Sequence, residues 1–197
     1  MGTWKIDPAH TDVSFSAKHM MITTVRGKFD RVEGALELDE ERPTRSRGEI
    51  RVGAASLSTG FEARDQHLRS ADFFDAEKHE WIVVKTTSVE ASDAGAYKVT
   101  ADLTIRGTTR PVTFDVEYLG NTPGMTGARH AGFSLRSTVN RKDWGLNWNM
   151  ALEAGGWLVG DEIKLEIEVA ADEVAPVATL ATPADAPADA AREVVAA

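Results

Sequence analysis

The sequence predicts an all-β domain of eight or nine strands carrying one short helix, and three observations predict it. Period-two alternation of apolar and polar residues runs through most of the chain. Short turn signals, such as Ser92-Asp93-Ala94-Gly95 and Arg106-Gly107-Thr108, separate the alternating runs. One stretch, from Gly60 to Arg69, replaces alternation with helical spacing.

Taken in order, Val13, Phe15 and Ala17 alternate with Ser14, Ser16 and Lys18. The segment 24–38 also reads as strand, but Phe29 is out of phase with Val32, Leu36 and Leu38, which predicts a bulge or sharp bend. Ile50, Val52 and Ala54 then alternate with Glu49, Arg51 and Gly53. Near 80–90, Trp81, Ile82, Val83 and Val84 are apolar on both faces, so one face is expected to meet the helix or a dimer partner. Tyr97 to Ile105 and Val112 to Tyr118 alternate cleanly, and strands are expected near 129–140 and 147–153. In GDEIKLEIEVA, Ile163, Leu165, Ile167 and Val169 face one side and Lys164, Glu166 and Glu168 the other.

The helix is expected to begin with a capping box, Thr59 with Glu62, and to dock through Phe61 and Leu68. Asp65 and Arg69, four apart, form a favourable surface pair, while Arg64 and Asp65 are placed to tie the helix to strand ends. Strands with one apolar face must share an interior. A β-sandwich satisfies this, and so does an antiparallel barrel, which also removes exposed edges. An eight-stranded barrel either fills with side chains or holds one slender ligand.

The 197 residues suit one domain with an appendage. Thirty-one acidic against 22 basic residues give a net charge of −9, which repels phosphate backbones and anionic lipid surfaces, so nucleic acid is not an expected partner. With no cysteine, disulfides, thiol catalysis and cysteine-ligated metals are excluded. The opening MGTWKIDPAH has no signal-like apolar region, and no apolar run reaches the roughly 18 residues of a transmembrane helix, so a cytoplasmic protein is expected. From Asp172 onward, DEVAPVATLATPADAPADAAREVVAA reads as a low-complexity disordered tail, with a short helix at 188–195 as the alternative.

The histidines, His10, His19, His67, His79 and His130, show no metal-binding spacing, and no metal site is expected. There is no GxSxG elbow, and the glycine-rich Gly155 to Gly160 lacks the lysine and hydroxyl of a phosphate loop, so it reads as a turn. Trp144 and Trp148, four apart, read equally as an aromatic plug at one barrel end or a ligand-contacting rim. RDQHLRSADFFD, Arg64 to Asp75, has the residue types of an acid–base site, but helical geometry sets His67 off the apolar stripe. Structural anchoring is the preferred reading.

Four stretches in order carry a family resemblance: WKIDPAHTDVSFSAKHMMITTVRGKFD (Trp4 to Asp30), STGFEARDQHLRSADFFD (Ser58 to Asp75), ADLTIRGTTRPVTF (Ala101 to Phe114) and VNRKDWGLNWN (Val139 to Asn149). From Trp4 to Ala171 the chain resembles the YceI-like family of bacterial lipid-binding proteins, departing from it in the tail, in showing no leader, and in having Trp144 where phenylalanine is more usual. The resemblance implies an extended antiparallel lipocalin-like barrel, a deep apolar tunnel for a polyisoprenoid, isoprenoid quinone or related fatty amphiphile, and a homodimer. No required cofactor is expected.

By parity the lumen is then lined by Val13 and Phe15, Ile50 and Val52, Val99, Leu103 and Ile105, Phe114, Phe133 and Leu135, and Ile163, Leu165 and Ile167. Leu68, Phe73 and Phe74 are expected to close or line one end, Trp144 and Trp148 to contact the ligand, and Met20 and Met21 to adapt to a chain passing the mouth. The leading expectation is a non-enzymatic carrier or store. An enzyme using His19, His67 or Asp65, and an interaction module displaying the acidic tail, are the alternatives.

Overall fold

Two strands of the barrel are each broken by a bend, and the breaks shape the interior. The computed structural model describes residues 1–93, 95–124, 127–153 and 155–174, so the expected tail, apart from its first residues, lies outside the described residues. The first broken strand is β1 (Gly2–Ile6) followed by β2 (Asp12–His19). Both lie end to end along one long strand, β11 (Val159–Glu173), with Ile6 opposite Ala171 and Val13 opposite Ile167. The intervening turn is stitched to the same strand: the Asp7 amide donates to the Ala170 carbonyl at 2.9 Å, and the Thr11 hydroxyl accepts from the Ala170 amide at 3.1 Å.

The second broken strand is β3 (Thr23–Phe29) with β4 (Val32–Leu38), pairing with β2 and β1 respectively. The bend announced by the out-of-phase Phe29 falls at Asp30 and Arg31, and it lets Phe29 and Val32 both be buried despite their odd spacing. Gly27 on β3 stands opposite Phe15 on β2, where a Cβ would lie 2.5 Å from the ring, so glycine makes room for the phenylalanine.

The remaining elements are β5 (Arg47–Gly53), β6 (Leu57–Ser58), α1 (Glu62–Arg69), β7 (Trp81–Ala91), β8 (Ala96–Ile105), β9 (Thr108–Pro123) and β10 (Arg129–Asn140). Hydrogen bonds run β1-β4-β5-β7-β8-β9-β10-β11 and return to β1, an antiparallel ring of eight strands, while β2, β3 and β6 branch from β11. The ring is a lipocalin-like barrel. Closure pairs the strand edges that a sandwich would expose.

Several expectations change. β1 was not anticipated, because Trp4 and Ile6 flank a single lysine in a run too short to register as alternation, yet they are 1% and 2% exposed. The segment 147–153 is not a strand: it makes one isolated bridge, Ala151 to Trp157, a few backbone hydrogen bonds to residues 155–158, and side-chain bonds through Asn149. The helix has Phe61 rather than Thr59 at its N-cap and no side-chain cap. Thr59 turns instead to Asp65, while Phe61 is exposed, so Leu68 docks without it. The outward face of Trp81 is covered by Arg31, whose guanidinium lies 4.1 Å from the ring centre and pairs with Glu80 at 2.9 Å. β11 continues through Asp172 and Glu173, two residues into the segment expected as tail. Among the described residues, no helix is long and apolar enough to cross a membrane.

Candidate functional site: a two-chambered apolar lumen

Cross-strand register builds the interior. Val13, Phe15 and Ala17 of β2 stand opposite Ile167, Leu165 and Ile163 of β11, while Leu135 and Val139 of β10 meet Ile167 and Ile163 from the other side. Ile50 pairs with Val84 and Val52 with Ile82, so the inward side chains form continuous rows around the barrel. These rows do not fill the space between them. Phe15, Ile50, Ile105, Leu135, Ile163, Leu165 and Ile167 point inward yet are only half-buried, because one side of each borders a cavity.

The cavity has two chambers. The first, of about 470 Å³, is walled by β2, β10 and β11, by Ile82, Leu103 and Ile105, and by Leu68, Phe73 and Phe74 from the helix and the turn after it. Trp144, Leu146 and Trp148 complete its wall. The second, of about 380 Å³, is walled by Leu36, Leu38, Tyr97, Val99, Val116, Tyr118 and Phe133. Ile50, Val84, Phe114, Leu135 and Val169 border both chambers and form a belt between them. Each volume falls in the range of about 300–1,000 Å³ usual for small-molecule sites.

The structure thus places Val13, Phe15, Ile50, Val52, Leu68, Phe73, Phe74, Leu103, Ile105, Phe114, Leu135, Trp144, Trp148, Ile163, Leu165 and Ile167 on the first chamber, and Val99 and Phe133 on the second. Met20 and Met21 border neither chamber. They lie at the tip of the β2–β3 hairpin, 44% and 60% exposed, with φ of 50° and 64° turning their side chains outward from the strand rows. Sequence parity missed the belt residues Val84 and Val169, although both sit in runs read correctly as strand.

The wall after β10 is built by one buried cation. Arg141, 4% exposed, donates to the carbonyls of Leu146, Trp148 (2.9 Å), Gly160 (3.0 Å) and Val159 (3.5 Å), and to the Asp161 carboxylate at 3.1 Å. Burial pulls its guanidinium below the ordinary arginine value, and Asp161 opposes that pull. Asn140 caps the turn by accepting from the Lys142 amide at 3.0 Å, and Gly145 ends it in the left-handed conformation, φ 74°. Trp144 is therefore a plug, 3% exposed, while Trp148 is half-buried with its ring on the chamber.

RDQHLRSADFFD anchors the opposite wall. Asp65, 3% exposed, accepts from the Thr59 amide at 2.9 Å and from the Thr59 hydroxyl, and Arg64 donates to the same hydroxyl oxygen at 2.6 Å. Arg69 donates to the Leu57 carbonyl at 2.6 Å, pinning the helix to β6. His67 bonds to Asp72 at 2.9 Å and stands edge-on to Trp148, ring centres 4.5 Å apart, joining the two walls. Among the described residues, no cluster of His, Asp and Glu forms a metal-binding group.

Eight paired strands in a ring, the helix α1 and a divided apolar lumen define a lipocalin-type barrel. The chain belongs to the YceI-like family, whose domain description matches residues 4–171. A UPF0312 protein of Staphylococcus aureus strain MSSA476 is 38% identical over 167 residues, covering 84% of this chain and 95% of the relative. The Campylobacter jejuni YCEI protein structure aligns with a TM-score of 0.68 at 29% identity, over 80% of this chain and 90% of that one. Burkholderia cenocepacia BcnA aligns with a TM-score of 0.73 at 20% identity, over 84% and 98% of the two chains. A polyisoprenoid binding domain from Saccharophagus degradans shares the fold, with a TM-score of 0.61 at 12% identity over 88% and 100%.

Proposed function

We propose that the protein binds and carries a long-chain amphiphile, an isoprenoid quinone or polyprenyl lipid, without transforming it, without a required cofactor and as a homodimer. The observation that carries this reading is the lumen itself: inward rows including Phe15, Leu165 and Ile167 keep free surface on the first chamber, and Leu135 on both of the chambers that share the belt. A chain threaded along them gains about 0.8 kcal/mol per buried methylene, so affinity needs no polar recognition. The polyisoprenoid binding domain from Saccharophagus degradans, which shares the fold, supports the ligand class.

The enzymatic alternative needs an acid and a base facing one substrate. Among the described residues, no carboxylate borders the first chamber, and His67 directs its ring nitrogen to Asp72, which borders neither chamber. His67→Ala is therefore expected to leave any lipid chemically unchanged.

Native mass spectrometry of the purified chain, followed by lipid extraction, tests the carrier reading. An isoprenoid in stoichiometric amount is the expected result, reduced severalfold in Leu165→Asp with the fold retained by circular dichroism. A chain that acquires no long-chain lipid even when offered one overturns it. Sedimentation velocity on the same sample measures the expected dimer.

A further inference from the structure

We infer that the mouth of the first chamber is a membrane-docking crown, a ring of exposed apolar side chains that seats this end of the barrel on a lipid bilayer. The inference rests on the carrier reading above. Nine large hydrophobic side chains are exposed among the described residues, and six of them, Met20, Met21, Ile22, Phe61, Met150 and Trp157, gather at this one end. The other three, Met1, Leu119 and Val174, lie on or beside β1, β9 and β11 away from it.

Backbone contacts bring Met20, Met150 and Trp157 together, and Met21 and Ile22 follow Met20 on the same hairpin tip. The Met20 amide donates to the Leu158 carbonyl at 2.8 Å, the Leu158 amide donates to the Met150 carbonyl at 2.9 Å, and Trp157 bridges Ala151. A side chain at Gly156 would begin 3.6 Å from Met21 Cγ, so the β2–β3 tip touches the segment just before Trp157. Phe61 itself borders the chamber along with Lys18, His19 and Leu158, which places the apolar surface of the crown in continuity with the apolar lumen.

The composition of the crown suits a bilayer interface. Ile22 is 77% exposed at a hairpin tip, where solvent alone would favour a polar residue, and Met20 and Met21 occupy left-handed conformations that favour glycine or asparagine. A sequence that keeps three consecutive apolar residues in such a turn forgoes the easier choice. Trp157 adds the amphipathic ring suited to the headgroup layer. Lys18 borders the chamber beside the crown, as does Arg64, which is held by Thr59.

The opposite mouth differs in kind. Asp39, Glu40, Arg47 and Asn121 border the second chamber, and Glu40 is engaged by Arg129 at 2.8 Å and by Asn121 at 2.9 Å. One end of the tunnel is thus dressed for water and the other for hydrocarbon. A second protein chain on the crown would seal the entrance, whereas a bilayer on it leaves a continuous apolar route for a membrane-dissolved chain.

Flotation of the full chain with vesicles of phosphatidylcholine, which carry no net charge to repel an acidic chain, tests the crown, alongside Ile22→Asp/Trp157→Asp and the control Leu119→Asp. Because vesicle affinity follows the apolar area inserted, the double variant is expected to lose about tenfold or more in bound fraction, while the control floats like the unaltered chain. The melting temperature of the double variant should match, since both side chains are exposed. No flotation of the unaltered chain overturns the inference, as does flotation equal in all three proteins. A dimer that the double substitution dissociates, with no vesicle binding, overturns it in favour of a second copy on the crown. Extraction of the same preparations separates the two readings: a lipid-loaded chain that ignores vesicles leaves the carrier standing and removes the crown.

Discussion

The indole Nε1 of Trp144 donates to the carbonyl oxygen of Leu103 at 3.0 Å, tying the turn after β10 to β8 across the end of the first chamber. The bond is buried at both ends, with Trp144 3% and Leu103 4% exposed. Trp144→Phe keeps most of the ring and removes one hydrogen bond, an expected loss of about 1 kcal/mol. Trp144→Ala opens a large cavity next to the lumen and is expected to cost about 3–5 kcal/mol. Urea denaturation of the two variants checks the ordering, and equal losses would reject the plug assignment.

Arg141 should resist conservative replacement. Its planar fork serves four carbonyls and Asp161 at once, and an ammonium cannot reproduce that geometry. Arg141→Met leaves these acceptors without their donor and is expected to cost about 3–5 kcal/mol, with Arg141→Lys recovering only part of it. Hydrogen exchange in residues 146–160 should rise in both variants before global unfolding does. Unchanged exchange there would show that the segment is held by something else.

Filling the belt should separate long ligands from short ones. Ile50 and Val84 face each other in register between the chambers. Val84→Phe is expected to lower affinity for chains that need both chambers by about tenfold, equivalent to about 1.4 kcal/mol, and to spare ligands that fit one. Competition binding across a series of isoprenoid lengths reads this directly. A uniform loss at every length would mean that the chambers do not act in sequence.

The pair Asp7 and His10, 2.6 Å apart at the turn between β1 and β2, makes stability depend on pH. The hydrogen bond to Asp7 raises the His10 pKa, so its contribution is complete below the ordinary imidazole value and disappears as pH rises through the raised one. The bond to His10 lowers the Asp7 pKa, so that contribution is present above the ordinary carboxylate value and disappears as pH falls through the lowered one. The stability difference between the unaltered chain and His10→Gln should therefore peak in mild acid and fade on both sides. A difference that does not vary with pH would remove the pair from the account.

Legibility followed the range of the interaction. Strand parity depends on neighbours two residues apart, so the inward rows of Val13 and Phe15 or Ile163 to Ile167 could be read directly. The bend at Phe29 was legible for the same reason. Thr59 and Glu62 looked like a cap because the motif is local, but Asp65 competes for Thr59 through a contact that only the folded turn creates. Met20 and Met21 border neither chamber and stand exposed on the β2–β3 tip, a placement that follows from the hairpin contacts and not from their composition.

By itself the sequence determined an all-β chain with an apolar face on nearly every strand, the place of its helix and its family. Alternation and local spacing are properties of the chain, so they survive without coordinates. Only the tertiary structure decided that the ring closes and that its interior holds two chambers with Ile50, Val84, Phe114, Leu135 and Val169 bordering both. Those depend on which distant residues meet and how much volume their side chains leave between them, and packing volume is not written in any local pattern.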